Sequence, residues 1–211
     1  VDENGHFLAT EALSGAGTET RSWAVLMAGG TGTRLLPYTR DVPKPMLLVK
    51  GRAILERIVD SLAAQGWRNF AISVNHLAEQ IEGHFGDGAG RGLRIEYLRE
   101  TEPLGTAGSL GLFSFETSEP ILIVNGDVVS EVDFSALIRS HVTSGADFTI
   151  GVKQVEFENP FGVIETSGSS VIGYLEKPVT SSLVSSGIYV VNPGLLGRID
   201  GASRLDMPDF I

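Results

Sequence analysis

The sequence predicts an α/β fold in which a mostly parallel sheet lies between two layers of helices. Short apolar runs recur along the chain, at residues 24–27, 70–74 and 121–124. Segments with helical spacing separate them, the clearest at 53–65, where Ile54, Leu55, Ile58, Val59 and Leu62 share one face. Strands that alternate with helices imply right-handed crossovers, parallel neighbours and a sheet covered on both sides. The plan is Rossmann-like and three-layered.

Each element has its own signal. Residues 24–27 (Ala-Val-Leu-Met) form the first strand, and the helix at 53–65 stops at Gly66. Residues 70–74 are a second strand, 77–85 a short helix, and 93–98 alternate like a half-buried strand. A helix is expected over 106–113. Ile121-Leu122-Ile123-Val124 is apolar without interruption, as strands buried on both faces are. A helix over 135–144 follows, with Asp133 placed to cap it, and then a strand at 148–152. From Gly162 the pattern becomes strand-rich, at 163–165, 171–175 and 187–191, predicting an antiparallel or mixed extension. In open parallel sheets, ligands sit beyond the carboxyl ends of the strands. Gly29-Gly30, Asn75 and Asn125-Gly126-Asp127 all follow strand-like runs and are expected on one rim.

Composition narrows the classes. A chain of 211 residues suffices for one domain with a proper core, and 42% hydrophobic with 20% charged residues is ordinary for a globular protein. There is no Cys, which excludes disulfides, thiolate metal sites and cysteine nucleophiles. The net charge of −10 argues against broad nucleic-acid binding, which needs basic surface. No apolar run approaches membrane-spanning length, and Val1-Asp2-Glu3-Asn4 lacks the layout of a signal peptide, so a cytoplasmic enzyme is the expectation. The oligomeric state stays open, a homo-oligomer included.

The chemistry concentrates in Ala28-Gly29-Gly30-Thr31-Gly32-Thr33-Arg34 and in Pro43-Lys44-Pro45-Met46. Glycines let a backbone approach a bulky anion and let successive N–H groups converge on phosphate oxygens. Arg34 and Lys44 add side-chain charge suited to a polyphosphate. The spacing fits neither G-x-G-x-x-G nor the P-loop. A glycine-rich turn after a buried strand is the plainer alternative, and the attached Arg34 and Pro-Lys-Pro weigh against it. A nucleoside triphosphate site is expected.

The stretch A-G-G-x-G-T-R-L-x-P-x-T followed by P-K-P-M-L resembles the signature of the sugar-1-phosphate nucleotidyltransferases, the nucleotide-sugar pyrophosphorylases. Glu102-Pro103-Leu104-Gly105-Thr106-Ala107-Gly108, Asn125-Gly126-Asp127, Phe161-Gly162-Val163-Ile164-Glu165, Glu176-Lys177-Pro178 and Gly187-Ile188-Tyr189 match in the same order. The pattern is most similar to mannose-1-phosphate and heptose-1-phosphate guanylyltransferases. It covers about residues 22–211, read as a nucleotidyltransferase domain with a Rossmann-like sheet and a strand-rich sugar-binding extension. Residues 1–21 read as a linker, or as the remnant of an upstream module, since Val1–Leu8 resembles the last hairpin of a CBS-type regulatory domain; D-E-N-G is equally a plain hairpin turn.

The resemblance implies transfer of a nucleotidyl group from a nucleoside triphosphate to a sugar-1-phosphate with Mg²⁺ as cofactor, the two substrates being the only partners expected. The sugar phosphate is already an anion at neutral pH, so no general base is needed and catalysis reduces to positioning and charge neutralisation. His6, His76, His84 and His141 show no ligand spacing and read as surface or satisfied histidines. By resemblance, Ala28, Gly29, Gly30, Gly32 and Thr33 cradle the nucleotide, Arg34 binds the leaving β- and γ-phosphates, and Lys44 neutralises the reacting ones. Asp127, just after a buried strand, is the metal ligand, with a turn-capping Asp as the alternative. Gly105 and Thr106 approach base and ribose, while Glu100 accepts from guanine N1–H and its exocyclic amine or is simply part of a solvated acidic face with Glu102. Gly162 offers its N–H to a sugar hydroxyl, Glu176 accepts sugar hydroxyls and Lys177 grips the sugar phosphate.

Two departures matter. Ser185 stands near the place where many relatives carry an Asn that contacts the sugar, which puts the identity of the sugar in doubt. The family's second metal-binding Asp, in a Trp-x-Asp-x-Gly-type segment, matches neither Asp206 nor Asp209, so the domain is expected to be C-terminally incomplete. Guanylyl transfer is the preferred reading. A uridylyl, cytidylyl or thymidylyl enzyme, or a non-catalytic subunit that binds nucleotide sugar, is the alternative. A glycosyltransferase would need an Asp-x-Asp motif, and none occurs.

Overall fold

The computed structural model describes residues 19–211. The reading of residues 1–21 falls almost wholly outside them, except that the first strand starts at Thr20 and so takes in Thr20 and Arg21. The described residues divide into two compact units, one of those up to 150 with 187–211, and one of residues 151–186.

The first unit is built on a six-stranded sheet. Its strands are β1 (Thr20–Met27), β4 (Trp67–Val74), β5 (Arg94–Arg99), β6 (Ile121–Asn125), β7 (Phe148–Glu158) and β10 (Val179–Val191), in the order β5-β4-β1-β6-β10-β7. Pairings β1–β4, β1–β6 and β4–β5 are parallel, and β10–β6 is antiparallel. A two-stranded ribbon of β2 (Leu48–Val49) and β3 (Arg52–Ala53) precedes α1 (Ile54–Ala64). The other helices are α2 (Ala78–Phe85), α3 (Gly105–Gly108), α4 (Phe134–Ser144), α5 (Pro193–Leu196) and α6 (Met207–Phe210).

Alternation along the strands divides the core between the two faces of the sheet. Ala24, Leu26, Phe70, Ile72, Leu122 and Val124 pack with Leu55, Ile58, Val59 and Leu62 of α1, Ile81 and Phe85 of α2, and Phe134 of α4. Val25, Ala71, Ile121 and Ile123 face the other way, toward Ala107, Leu110, Leu196 and Met207. The three layers are therefore real. Each fully buried Leu or Ile contributes roughly 1.5–3 kcal/mol, which is why α1 needs all four of its inward positions. Asp133 caps α4 as expected, its carboxylate accepting from Ala136 N at 2.8 Å.

The expected helix over 106–113 is instead one α-turn, α3, followed by a 3₁₀ turn at Ser109–Leu112. Gly105, Gly108 and Gly111 account for the difference. Backbone of residues 199–205 passes so near them that a β-carbon at any of the three would lie 3 Å or less from it, and glycine is a poor helix former.

The second unit contains the ends of β7 and β10 that reach into it and the antiparallel hairpin β8 (Val163–Ser167) with β9 (Ser170–Leu175). The strand-rich extension thus begins at 151, earlier than residue 162. The chain leaves the first unit along β7 and returns along β10, strands adjacent in the sheet. At the two ends of the second unit, Ser186 Oγ donates to the Gly151 carbonyl at 2.8 Å.

Candidate active site

The glycine loop leaves β1 at its carboxyl end and extends the parallel pairing by one step on each side. Ala28 N–H donates to Ser73 O at 3.1 Å, and Gly126 N–H donates to Met27 O at 2.9 Å. Gly29, Asn75 and the Asn125–Asp127 turn therefore share the expected rim. Gly32 adopts φ 65°, ψ 19° at the start of the 3₁₀ turn Thr33–Leu35, where an L side chain is strained. The buried Thr39 holds that turn, its hydroxyl donating to Gly32 O at 2.8 Å. No atom lies within 4 Å of where a β-carbon of Gly30 would stand. Thr31, Thr33 and Arg34 are exposed, and Arg34 forms an ion pair with no described residue.

Lys44 begins a 3₁₀ turn between the buried Pro43 and Pro45. Its ammonium forms an ion pair with the Asp127 carboxylate across 83 residues of sequence. Asp127 itself sits in the turn after β6, closed by Val128 N–H to Asn125 O at 3.1 Å. Gly187 stacks on Asn125 so closely that a β-carbon would stand 2.6 Å from its Nδ2, which is why the Gly-Ile-Tyr strand needs glycine.

Glu100 is half-buried, and both of its carboxylate oxygens are engaged. Its Oε1 accepts from Ser73 Oγ at 2.6 Å and its Oε2 from Leu104 N–H at 3.0 Å, while Asn75 Nδ2 donates to its backbone carbonyl at 3.1 Å. It is a staple between β4 and the loop after β5, neither part of a solvated acidic face nor wholly free to read a base. A β-carbon on Gly29 would overlap this carboxylate. Thr106 is likewise engaged within the protein. Its N–H donates to Asp206 Oδ1 at 3.0 Å and its hydroxyl accepts from Met207 N–H at 2.7 Å, so both polar groups already have partners. Gly105, at φ +81°, is required where Leu205 and Asp206 approach.

The remaining expected residues lie in the second unit. Tyr174 donates its hydroxyl to Glu176 Oε2 at 2.9 Å and stands so near Gly162 that a side chain there would overlap its ring. Gly162 is thus explained by packing within its own unit. Lys177 is exposed with φ +42°, in a turn whose Pro178 carbonyl accepts from Asn159 N–H at 3.0 Å. Ser185 is exposed on β10. Ser73, Thr39, Tyr174 and Asp206 carry no expectation from sequence; only Thr39 lay within a recognised motif. His141 is buried between Thr149 Oγ1 at 2.8 Å and Asn192 Oδ1 at 3.1 Å, and His76 and His84 are at the surface, as read from their lack of ligand spacing.

Residues 23–207 match the family described as Nucleotidyl transferase. The chain belongs to that family. Among members of the nucleotidyl transferase family, it is 35% identical over 184 residues to mannose-1-phosphate guanyltransferase beta-A of Xenopus laevis, covering 83% of this chain and 51% of that one. It is 34% identical over 181 residues to mannose-1-phosphate guanylyltransferase of Mycobacterium tuberculosis, covering 83% and 50%. The chain thus spans about half the length of these relatives. HddC from Yersinia pseudotuberculosis, solved in complex with GMP-PN, superposes with a TM-score of 0.68 at 25% identity, covering 90% of this chain and 87% of that one. No helix among the described residues is long and apolar enough to cross a membrane.

Proposed function

We propose that this nucleotidyl transferase joins a guanylyl group to a sugar-1-phosphate and releases pyrophosphate. One observation carries the proposal: Lys44 and Asp127, far apart in sequence, meet at the rim beside the glycine loop. The names of the relatives favour guanylyl over other nucleotidyl groups and mannose-1-phosphate as acceptor.

The reaction is an in-line displacement at the α-phosphorus, and the residues act by holding charge and position. Backbone N–H groups of residues 29–33 receive the phosphates, and Arg34, which pairs with no described residue, takes the β- and γ-oxygens that depart as pyrophosphate. Lys44, stiffened between two prolines, turns from Asp127 toward the reacting phosphate as negative charge builds there. Glu100 keeps a second lone pair on each oxygen and, fixed by Ser73 and Leu104, presents acceptors to guanine without reorganising. Glu176 and Lys177 take the sugar hydroxyls and sugar phosphate.

The donor set suits a cation that arrives with its nucleotide. No three His, Asp or Glu side chains cluster to hold a metal among the described residues, whereas Mg²⁺ characteristically uses one or two carboxylates together with substrate phosphates. Asp127 would hold it, and when bound it would neutralise phosphate charge.

The test is pyrophosphate release on mixing the chain, Mg²⁺, each of the four common nucleoside triphosphates, and a panel of hexose-1-phosphates. Release with GTP and mannose-1-phosphate above all other pairs is expected. No release from any pair, with nucleotide-sugar binding retained, would replace this reading with that of a nucleotide-sugar sensor.

A further inference from the structure

The segment 201–207 crosses the outer side of the loop that the proposed function sets against the nucleotide base. It does so by backbone contact. Gly201 lies against Gly111, Ser203 O against Gly108, and Leu205 O against Gly105, each close enough that only glycine fits on the inner side. Leu205 N–H donates to Leu104 O at 2.9 Å, and its carbonyl accepts from Ala107 N–H at 2.9 Å and Gly108 N–H at 3.0 Å. These bonds hold the strap in place whatever side chains it carries.

Asp206 adds something the backbone does not. Its Oδ1 accepts from Thr106 N–H at 3.0 Å and its Oδ2 from Arg204 Nη2 at 3.0 Å. The loop 100–106 is thereby fixed at two points. Glu100 pins its start to Ser73 and Leu104, and Asp206 pins its end. Between them stand the exposed Thr101, Glu102 and Pro103, the buried Leu104 and the φ-positive Gly105; the strap's backbone bonds hold Leu104, and the two carboxylates hold the ends.

We infer that Asp206 is a positioning residue for nucleotide binding, holding Thr106 so that the loop beginning at Glu100 is already in its binding conformation. The inference rests on the proposed function for the identity of what the loop meets. Its two partners separate cleanly by substitution. Asp206→Ala removes both; Asp206→Asn keeps the Oδ1 acceptor for Thr106 and gives up only the charge on Arg204, an exposed pair of little consequence.

Titration of the chain with GTP and Mg²⁺ by calorimetry, together with hydrogen exchange at the Thr106 amide, tests it. In Asp206→Ala, the Thr106 amide loses protection and the GTP dissociation constant rises roughly tenfold, the scale of one charge-assisted hydrogen bond. Asp206→Asn restores both to within about threefold. A purely structural role would instead lower the melting temperature of Asp206→Ala and leave affinity alone. Two results overturn the inference: Asp206→Ala binding GTP as tightly as the unaltered chain, or Asp206→Asn weakened as much as Asp206→Ala. If the unaltered chain binds none of the nucleoside triphosphates, the proposed function fails first and takes this inference with it.

Discussion

Replacing Lys44 with Ala, Asp127 with Asn, and both together separates folding from chemistry at the rim. The two side chains are 36% and 38% exposed, so water screens their attraction. An ion pair in that setting contributes about 0–1 kcal/mol. In a chain of this size, 1 kcal/mol moves the melting temperature by about 2–4 °C. All three variants should therefore melt within about 4 °C of the unaltered protein, with a coupling energy in the cycle of about 1 kcal/mol or less. Turnover should respond on another scale. Removing a preorganised charge from the reacting phosphates costs on the order of 10²–10³ in rate, about 2.7–4 kcal/mol. Asp127→Asn exchanges one carboxylate oxygen for an amide of the same shape, and it should abolish pyrophosphate release with the fold unchanged. Urea melts give the first quantity and steady-state pyrophosphate release the second. A coupling energy above about 2 kcal/mol would make the pair a structural bridge, and full turnover in Asp127→Asn would remove this carboxylate from the chemistry.

Other positions give sharper contrasts. Gly29→Ala should force the Glu100 carboxylate away from Ser73 and Leu104 and cost about 1–3 kcal/mol, whereas Gly30→Ala, with open space around it, should melt within about 0.5 kcal/mol of the original; equal urea midpoints would refute the crowding at Gly29. Asp133→Ala should cost about 1 kcal/mol through loss of the cap on α4, read as a melting temperature lower by about 2–4 °C. Burial, with Glu82 adding to it, pushes the Tyr97 hydroxyl from 10.0 up to about 12. The neutral form is thus favoured on folding, so its contribution is complete below pH 10 and is lost as pH climbs through 12. For the half-exposed ring that loss is discounted to about 1 kcal/mol, and Tyr97→Phe should flatten stability over this interval in denaturation at pH 9 and 11.5.

Much of the sheet was legible because burial writes itself into sequence. Ile121–Val124 is apolar at every position since both faces are covered, and α1 announces its four buried residues by spacing. The long strands β7 and β10 were less so. Only Phe148–Ile150 and Ile188–Val191 reach the core; residues 152–154 and 179–185 are exposed, and a solvated strand leaves no periodic trace. The place of the glycine loop and Asp127 on one rim could be read because each directly follows a buried strand of the parallel sheet. Asp206 could not, since a carboxylate that ties down a loop a hundred positions earlier carries no local pattern. Glu100 was found by its place in the chain, but its bonds to Ser73 and Leu104 were not legible, because those partners come together with it only through folding.

The hydrogen bond between Ser186 and Gly151 has a further consequence. A detour that departs and rejoins on neighbouring strands can be lengthened, pruned or transplanted without rewriting the order of the sheet. On the proposed function, Glu176 and Lys177 travel with that detour, so the grip on the acceptor can be exchanged as one piece while the glycine loop, Lys44 and Asp127 stay as they are.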